Sequence, residues 1–156
     1  MNKILAKSTF WVLLSFASVA WGHGDELGDI SVSHPWMRAI PIPGMNGAGY
    51  MNITNNGKVD DRLLEVKAGW VAKAEIHETS ENDGMMSMMP LPEGIVIPAN
   101  SSTSLEPGAV HVMLMKTNKQ IMPGDRLPVS LIFEHAGELK THFVAQPLTG
   151  DSHQHH

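Results

Sequence analysis

Histidine and methionine are concentrated in one stretch of the chain, positions 77–115. Six of the eleven methionines and two of the nine histidines lie there. Thioether sulfur is a soft, uncharged ligand, so it binds Cu(I) and has little affinity for Mg²⁺ or Ca²⁺. Imidazole suits copper in either oxidation state. The residue types therefore predict a copper site, with Cu(I) as the favoured ion.

The spacing of four of these residues indicates a single site. Alternate residues of a strand share a face, so His111 and Met113 should project to the same side. The turn signal at residues 82–84, Asn-Asp-Gly, separates two strand-like runs. A tight hairpin centred there would bring His77 opposite Met88, give or take one position. If the strands meet, the four side chains provide two nitrogen and two sulfur ligands.

Core packing is the competing interpretation for methionine, which commonly fills gaps in protein interiors. Taken one at a time, several methionines are better explained by packing or by general affinity for soft metals: Met85, Met86, Met89 and Met115. The run 85–89 would nevertheless make a poor core strand, because both of its faces carry flexible thioethers.

The ligand spacing resembles that of the periplasmic copper chaperone family PCuAC. In that family His-x10-Met is followed, after about twenty-one residues, by His-x-Met. His77 and Met88 fit the first part, and His111 and Met113 fit the second. The interval between the two parts is one residue longer here, which leaves Met89 as the alternative to Met88.

Further segments extend this resemblance over residues 30–145: His34–Ala39, Gly47–Asn55, Asp61–Leu64 and Pro107-Gly108. The resemblance implies a copper-binding protein rather than an enzyme. It implies a cupredoxin-like fold, and delivery of Cu(I) to the CuA centre of cytochrome c oxidase. It also implies a second partner, a thiol-containing assembly factor.

The segments that must position these residues are predicted to be β-strands. Between residues 34 and 146, short runs are separated by Pro, Gly and Asn, a pattern typical of all-β sandwiches and barrels. Seven to nine such runs favour a two-sheet Greek-key sandwich. Besides the methionine-rich arm, the predicted strands are 30–39, 48–54, 62–66, 71–78, 95–97, 102–105, 110–115, 127–133 and 139–145.

The start of the chain, residues 1–22, has the features of a cleavable signal peptide. Two lysines precede an apolar run of eleven residues, Phe10–Ala20. That run is too short to span a bilayer, which takes about 20 residues. Small residues allow cleavage after Ala20 or Gly22. We therefore expect a periplasmic protein with one domain, residues 23–148, and no membrane span in the mature form.

The end of the chain, residues 149–156, is expected to be a flexible His-rich tail. Unless they are the remains of an affinity tag, His153, His155 and His156 form a second candidate site, and their nitrogen donors suit Cu(II). Cleavage after Gly22 would add a further Cu(II) candidate, because His23 would then offer an α-amino group beside its imidazole.

Composition excludes several classes of protein. The chain has no cysteine, so it has no thiolate metal site and is not an ordinary blue-copper electron carrier. Without residues 1–22, nine basic residues face sixteen acidic ones. No basic run remains, which argues against binding to nucleic acid. We expect a monomer.

Two other functions remain open from the sequence. Copper sequestration for tolerance would use the methionine-rich arm and the His tail as binding capacity. A copper monooxygenase would require His23 at the mature N-terminus and a second histidine beside it. No Ser/His/Asp or paired-carboxylate arrangement suggests catalysis, so the enzyme is the less favoured interpretation.

Overall fold

The computed structural model describes residues 24–148. The predicted signal peptide, His23 and the tail from residue 149, with His153, His155 and His156, lie outside the described residues. Within 24–148 the secondary structure consists of eleven β-strands without a helix. The strands are β1 Gly24–Leu27, β2 Ile30–Arg38, β3 Gly47–Asn55, β4 Asp61–Lys67, β5 Val71–Asn82, β6 Met85–Pro90, β7 Ile95–Ile97, β8 Ser101–Leu105, β9 Val110–Thr117, β10 Arg126–Phe133 and β11 Gly137–Gln146.

The strands follow one continuous path, β6-β5-β9-β3-β2-β11-β10-β4-β7, with β1 beside β2 and β8 beside β3. The β2–β11 pair is parallel. On the edge away from β2, β3 has two neighbours, since residues 47–49 pair with β9 and residues 51–55 pair with β8. β2 has a register irregularity between Ser33 and Trp36. The all-β prediction is confirmed.

A two-residue turn joins β5 to β6. Asp83 and Gly84 have φ values of 52° and 77°. Positive φ at both central residues defines the type I′ turn, whose twist matches that of the flanking strands. The predicted hairpin is therefore present. β5 runs to Asn82, four residues beyond its predicted end at Glu78, because the hairpin extends past the rest of the sheet.

Alternating side chains from most strands of the path fill one hydrophobic core. Its largest fully buried members include Phe143, Met37, Met51 and Leu131. Trp70 is also buried, and its indole Nε1–H donates to the Pro128 carbonyl at 2.8 Å. Two methionines are thus core residues, as their positions in β2 and β3 require. Among residues 24–148 there is no helix with the length and apolar character needed to cross a membrane.

Candidate metal centre

The pairing of β5 with β9 brings the two predicted histidine ligands together. His77 lies directly opposite His111, and their ring centroids are 6.0 Å apart. One step along the same face, Glu75 lies opposite Met113. Because alternate residues of a strand share a face, all four side chains project to the same side of the sheet.

The register of the hairpin differs from the predicted one by two positions. Met88 lies opposite Thr79, and His77 lies opposite Pro90. The prediction that Met88 faces His77 directly was therefore wrong. The reason is the two-residue turn, which centres the hairpin after Asp83. Met88 is nevertheless a diagonal neighbour of His77, because Thr79 and His77 share a face.

The same register separates the two candidate methionines of β6. Met89 pairs with Glu78, whose side chain points to the opposite face of the sheet from His77. Only Met88 of these two shares a face with His111 and Met113.

A cavity of about 450 Å³ opens on this face. Met88, His111 and Met113 all line it. His111 is 4% exposed, whereas Met88 is 59% exposed. His77 does not line the cavity; its side chain is 12% exposed and lies beside Glu75. The structure thus places three of the four predicted ligands around one cavity, and the fourth, His77, across the ladder from His111.

Each histidine has one ring nitrogen engaged and the other free. His111 Nδ1 lies 3.1 Å from the Ala109 carbonyl, so Nδ1 carries the proton and Nε2 keeps its lone pair. His77 Nε2 lies 3.0 Å from Glu75 Oε2, so here Nε2–H donates. His77 Nδ1 is buried without a hydrogen-bond partner. Carbonyl or carboxylate partners of this kind orient metal-binding histidines in many proteins.

Glu75 is held as a carboxylate by its neighbours. A hydrogen bond from Lys73, and a second from His77, lower the pKa of the Glu75 carboxyl below its ordinary value. A carboxylate accepts hydrogen bonds and cannot donate them, so it fixes the His77 tautomer that leaves Nδ1 free. Strand alternation alone puts Glu75 and His77 on one face, whereas the hydrogen bond between them is seen only in the structure.

The donor set fits a soft ion of low charge. The described part of the chain contains no group of three or more His, Asp or Glu residues that could hold a metal. Two imidazoles and two thioethers are neutral donors that favour Cu(I). An ion about 2 Å from one nitrogen of each ring can bridge rings with centroids up to about 6.4 Å apart. The 6.0 Å between His77 and His111 lies within that reach.

Tyr50 also lines the cavity, and its ring lies 4.6 Å from that of Trp36, centroid to centroid. Burial raises the pKa of the Tyr50 phenol, an effect that the nearby Arg38 partly opposes. The Arg38 guanidinium donates to the Leu148 carbonyl at 3.0 Å and lies 6.0 Å from the Trp36 ring centre.

The methionine-rich strand β6 is exposed along its whole length. Met85, Met86 and Met89 are 74%, 62% and 60% exposed. The explanation by core packing is therefore wrong for these three methionines, and general affinity for soft metals is the explanation that is left. The histidines given no metal role from the sequence, His34, His135 and His142, are exposed.

Residues 30–145 match the family described as putative lipoprotein LpqE-like. The chain belongs to the LpqE-like family. The matched region includes every predicted ligand of the β5–β6–β9 face. A putative lipoprotein from Leifsonia xyli subsp. xyli is 28% identical over 110 residues, and an uncharacterized protein from Rickettsia prowazekii is 25% identical over 127 residues. The alignments cover 70% and 77% of this chain, and 65% and 70% of those relatives. The chain thus spans less than two thirds of the Leifsonia protein.

Solved structures similar to this LpqE-like chain include PCuAC domains. The copper-bound PCuAC domain from PmoF2 is 26% identical, with a TM-score of 0.68 over 80% of this chain and 98% of that domain. The apo PCuAC domain from PmoF1 is 30% identical, with a TM-score of 0.68 over 80% and 99%. The Cu(I) form of DR1885 from Deinococcus radiodurans is 21% identical, with a TM-score of 0.60 over 83% and 85%, and shows the fold alone.

The prediction of a cupredoxin-like sandwich is confirmed, and the similarity to solved PCuAC domains is consistent with the PCuAC resemblance seen in the sequence. The ligand pattern stays a prediction.

Proposed function

We propose that this protein is an exported copper chaperone that binds Cu(I) through His77, Met88, His111 and Met113. The observation that carries the proposal is the register, which puts these side chains on one face. Each histidine there has a free ring nitrogen. The likeness to a copper-bound PCuAC domain supports copper as the metal.

The exposure of the ligands suits a protein that releases its metal. Met88 lies on the edge strand β6 and is 59% exposed, whereas His111 is buried. A donor at the surface can dissociate and be replaced by a donor of the recipient while the buried ligands hold the ion. Neutral, thiolate-free ligands also suit an oxidising compartment, where cysteine would be lost to oxidation.

The proposed recipient is the CuA centre of cytochrome c oxidase, with a thiol-containing assembly factor as a second partner. The proposed compartment is the periplasm, reached through the cleavable segment 1–22. The family description of putative lipoprotein supports export. A role for His153, His155 and His156 as a Cu(II) site belongs to the same proposal.

The test is a comparison of Cu(I) affinity and transfer among single variants of the mature protein. Met113→Leu should weaken Cu(I) binding by about tenfold or more, equivalent to about 1.4 kcal/mol. The apo protein should keep its melting temperature, because Leu has nearly the volume of Met. A large fall in apo stability without loss of copper would show that Met113 is a packing residue.

Copper sequestration is a second candidate, favoured by the exposure of Met85, Met86 and Met89. These thioethers could bind further Cu(I) without any transfer. Titration of the mature protein with Cu(I) distinguishes the two functions. One Cu(I) per chain that passes to a CuA-subunit domain supports the chaperone, and several that stay bound support sequestration.

A further inference from the structure

The cavity lined by Met88, His111 and Met113 is also lined by a further thioether, that of Met45. Met45 lies on the loop between β2 and β3. Met45 is 48% exposed, unlike the core methionines Met37 and Met51, which are at most 2% exposed. Its side chain therefore faces the cavity mouth rather than the core.

Hydrogen bonds tie the backbone around Met45 to the strand that carries two of the proposed ligands. The Thr117 N–H of β9 donates to the Met45 carbonyl at 3.0 Å, and the Gly44 N–H donates to the Thr117 carbonyl at 2.7 Å. The Lys116 N–H donates to Asn46 Oδ1 at 2.9 Å. Lys116 has a φ of 51°, a left-handed backbone conformation. The hydrogen bonds fix the loop backbone at Met45 relative to the end of β9.

We propose that Met45 is a further soft donor of this cavity, which binds Cu(I) at the mouth while the ion enters or leaves. The inference rests on the proposed function. When the exposed thioether of Met88 dissociates, the Met45 sulfur replaces it, so one Cu–S bond forms as another breaks. No electron or proton moves, because both ligands are neutral thioethers.

The role differs from that of the four proposed ligands. Met45 lines the same cavity as Met113, but it lies on the loop between β2 and β3, outside the ladder that aligns His77 with His111. Met45 should therefore affect the rate at which Cu(I) enters and leaves the cavity more than the equilibrium affinity of the protein for Cu(I). A packing role would require burial, which a side chain that is 48% exposed does not have.

The test uses Met45→Leu, with Met122→Leu as the matched control. Met122 is 51% exposed and does not line the cavity. Each mature protein is loaded anaerobically with one Cu(I), and transfer to excess bathocuproine disulfonate is followed by absorbance in a stopped-flow instrument. Met45→Leu should slow transfer about tenfold, and Met122→Leu should transfer at the unsubstituted rate. Equilibrium competition should show that Cu(I) affinity changes less than about threefold in either variant.

Two results would overturn the role of Met45. One is transfer from Met45→Leu at the unsubstituted rate. The other is a loss of affinity as large as that of Met113→Leu, which would make Met45 a resting ligand. Failure of the proposed function is seen separately, because the unsubstituted protein would then retain no Cu(I) before any rate is measured.

A spectroscopic measurement gives an independent check. In protein with ¹³C-methyl-labelled methionine, the Met45 methyl resonance should shift or broaden as Cu(I) is added, whereas the Met122 resonance should not. An unchanged Met45 resonance would contradict contact with the metal.

Discussion

His77 lies directly opposite His111 in the β5–β9 ladder, with 6.0 Å between their ring centroids. The hydrogen bonds of the two rings leave Nδ1 free on one and Nε2 free on the other. This pair anchors the proposed site, since both histidines lie on strands within the sheet. The two methionines complete the donor set from the same face.

The pH dependence of the apo protein should report the Glu75 contacts. Hydrogen bonds from Lys73, which has the larger effect, and from His77 lower the pKa of Glu75. A lowered folded-state pKa gives stability that is fully present above the unfolded value of about 4.3, and is lost as pH falls through the folded value. Melting temperatures measured across acidic pH should show a smaller fall for Glu75→Gln than for the unsubstituted protein. The comparison variant is Glu138→Gln, which makes the same change of charge at an exposed position on β11, away from Lys73 and His77. A Glu75→Gln profile identical to that of the unsubstituted protein would contradict the assigned contacts.

The alkaline titration should report the burial of Tyr50. Burial raises the pKa of this phenol above its ordinary value. The folded state therefore holds the proton more tightly than the unfolded state, and the associated stability is present below about pH 10 and lost as pH rises further. Tyr50 is the chain's single tyrosine, so tyrosinate absorbance measures it directly. The folded protein should titrate at higher pH than the urea-unfolded protein. Coincident titrations would show that the phenol is exposed.

The turn of the β5–β6 hairpin should matter for copper as well as for stability. Gly84 has a φ of 77°, so Gly84→Ala should cost about 1–2 kcal/mol through its left-handed conformation. Because the turn sets which methionine shares a face with His77, Cu(I) affinity should also fall. Gly137→Ala is the matched control, since Gly137 has a φ of 92° in the remote β10–β11 hairpin. That variant should lose stability and keep its Cu(I) affinity, and equal affinity losses in both variants would contradict the register argument.

Deletion of residues 151–156 should separate the tail from the β5–β6–β9 face by oxidation state. Cu(II) favours nitrogen donors in tetragonal geometry, which His153, His155 and His156 offer. The deletion should remove a tetragonal Cu(II) EPR signal and leave Cu(I) affinity nearly unchanged. In the intact protein the signal should weaken below about pH 6, because imidazole must be deprotonated to bind. Loss of Cu(I) on deletion would show instead that the tail belongs to the Cu(I) site.

Local patterns predicted much of the site. The alternation of His111 and Met113 and the Asp83-Gly84 turn were both readable, because strand periodicity and turn preferences act over a few residues. The exact pairing of β5 with β6 could not be read from the sequence. A turn one residue longer would have placed Met89 on the face that Met88 occupies, since a shift of one residue reverses every side chain of a strand.

Long-range pairing explains what the sequence could not show. The opposition of His77 and His111 depends on β5 and β9 meeting after the chain has passed through three other strands. The contribution of Met45 depends on hydrogen bonds between its loop and the end of β9. The Arg38 guanidinium has no carboxylate partner within residues 24–148 and donates to the Leu148 carbonyl instead. Such partners are fixed by the tertiary fold rather than by local sequence.

X-ray absorption of the Cu(I)-loaded mature protein tests the proposed site most directly. We expect two sulfur and two nitrogen ligands, a first shell that follows from His77, Met88, His111 and Met113. Met88→Leu should remove one sulfur from that shell, whereas Met89→Leu should leave it unchanged, because Met89 lies on the other face of β6. A first shell of nitrogen and oxygen alone, or a sulfur lost with Met89→Leu and retained with Met88→Leu, would contradict the site proposed here.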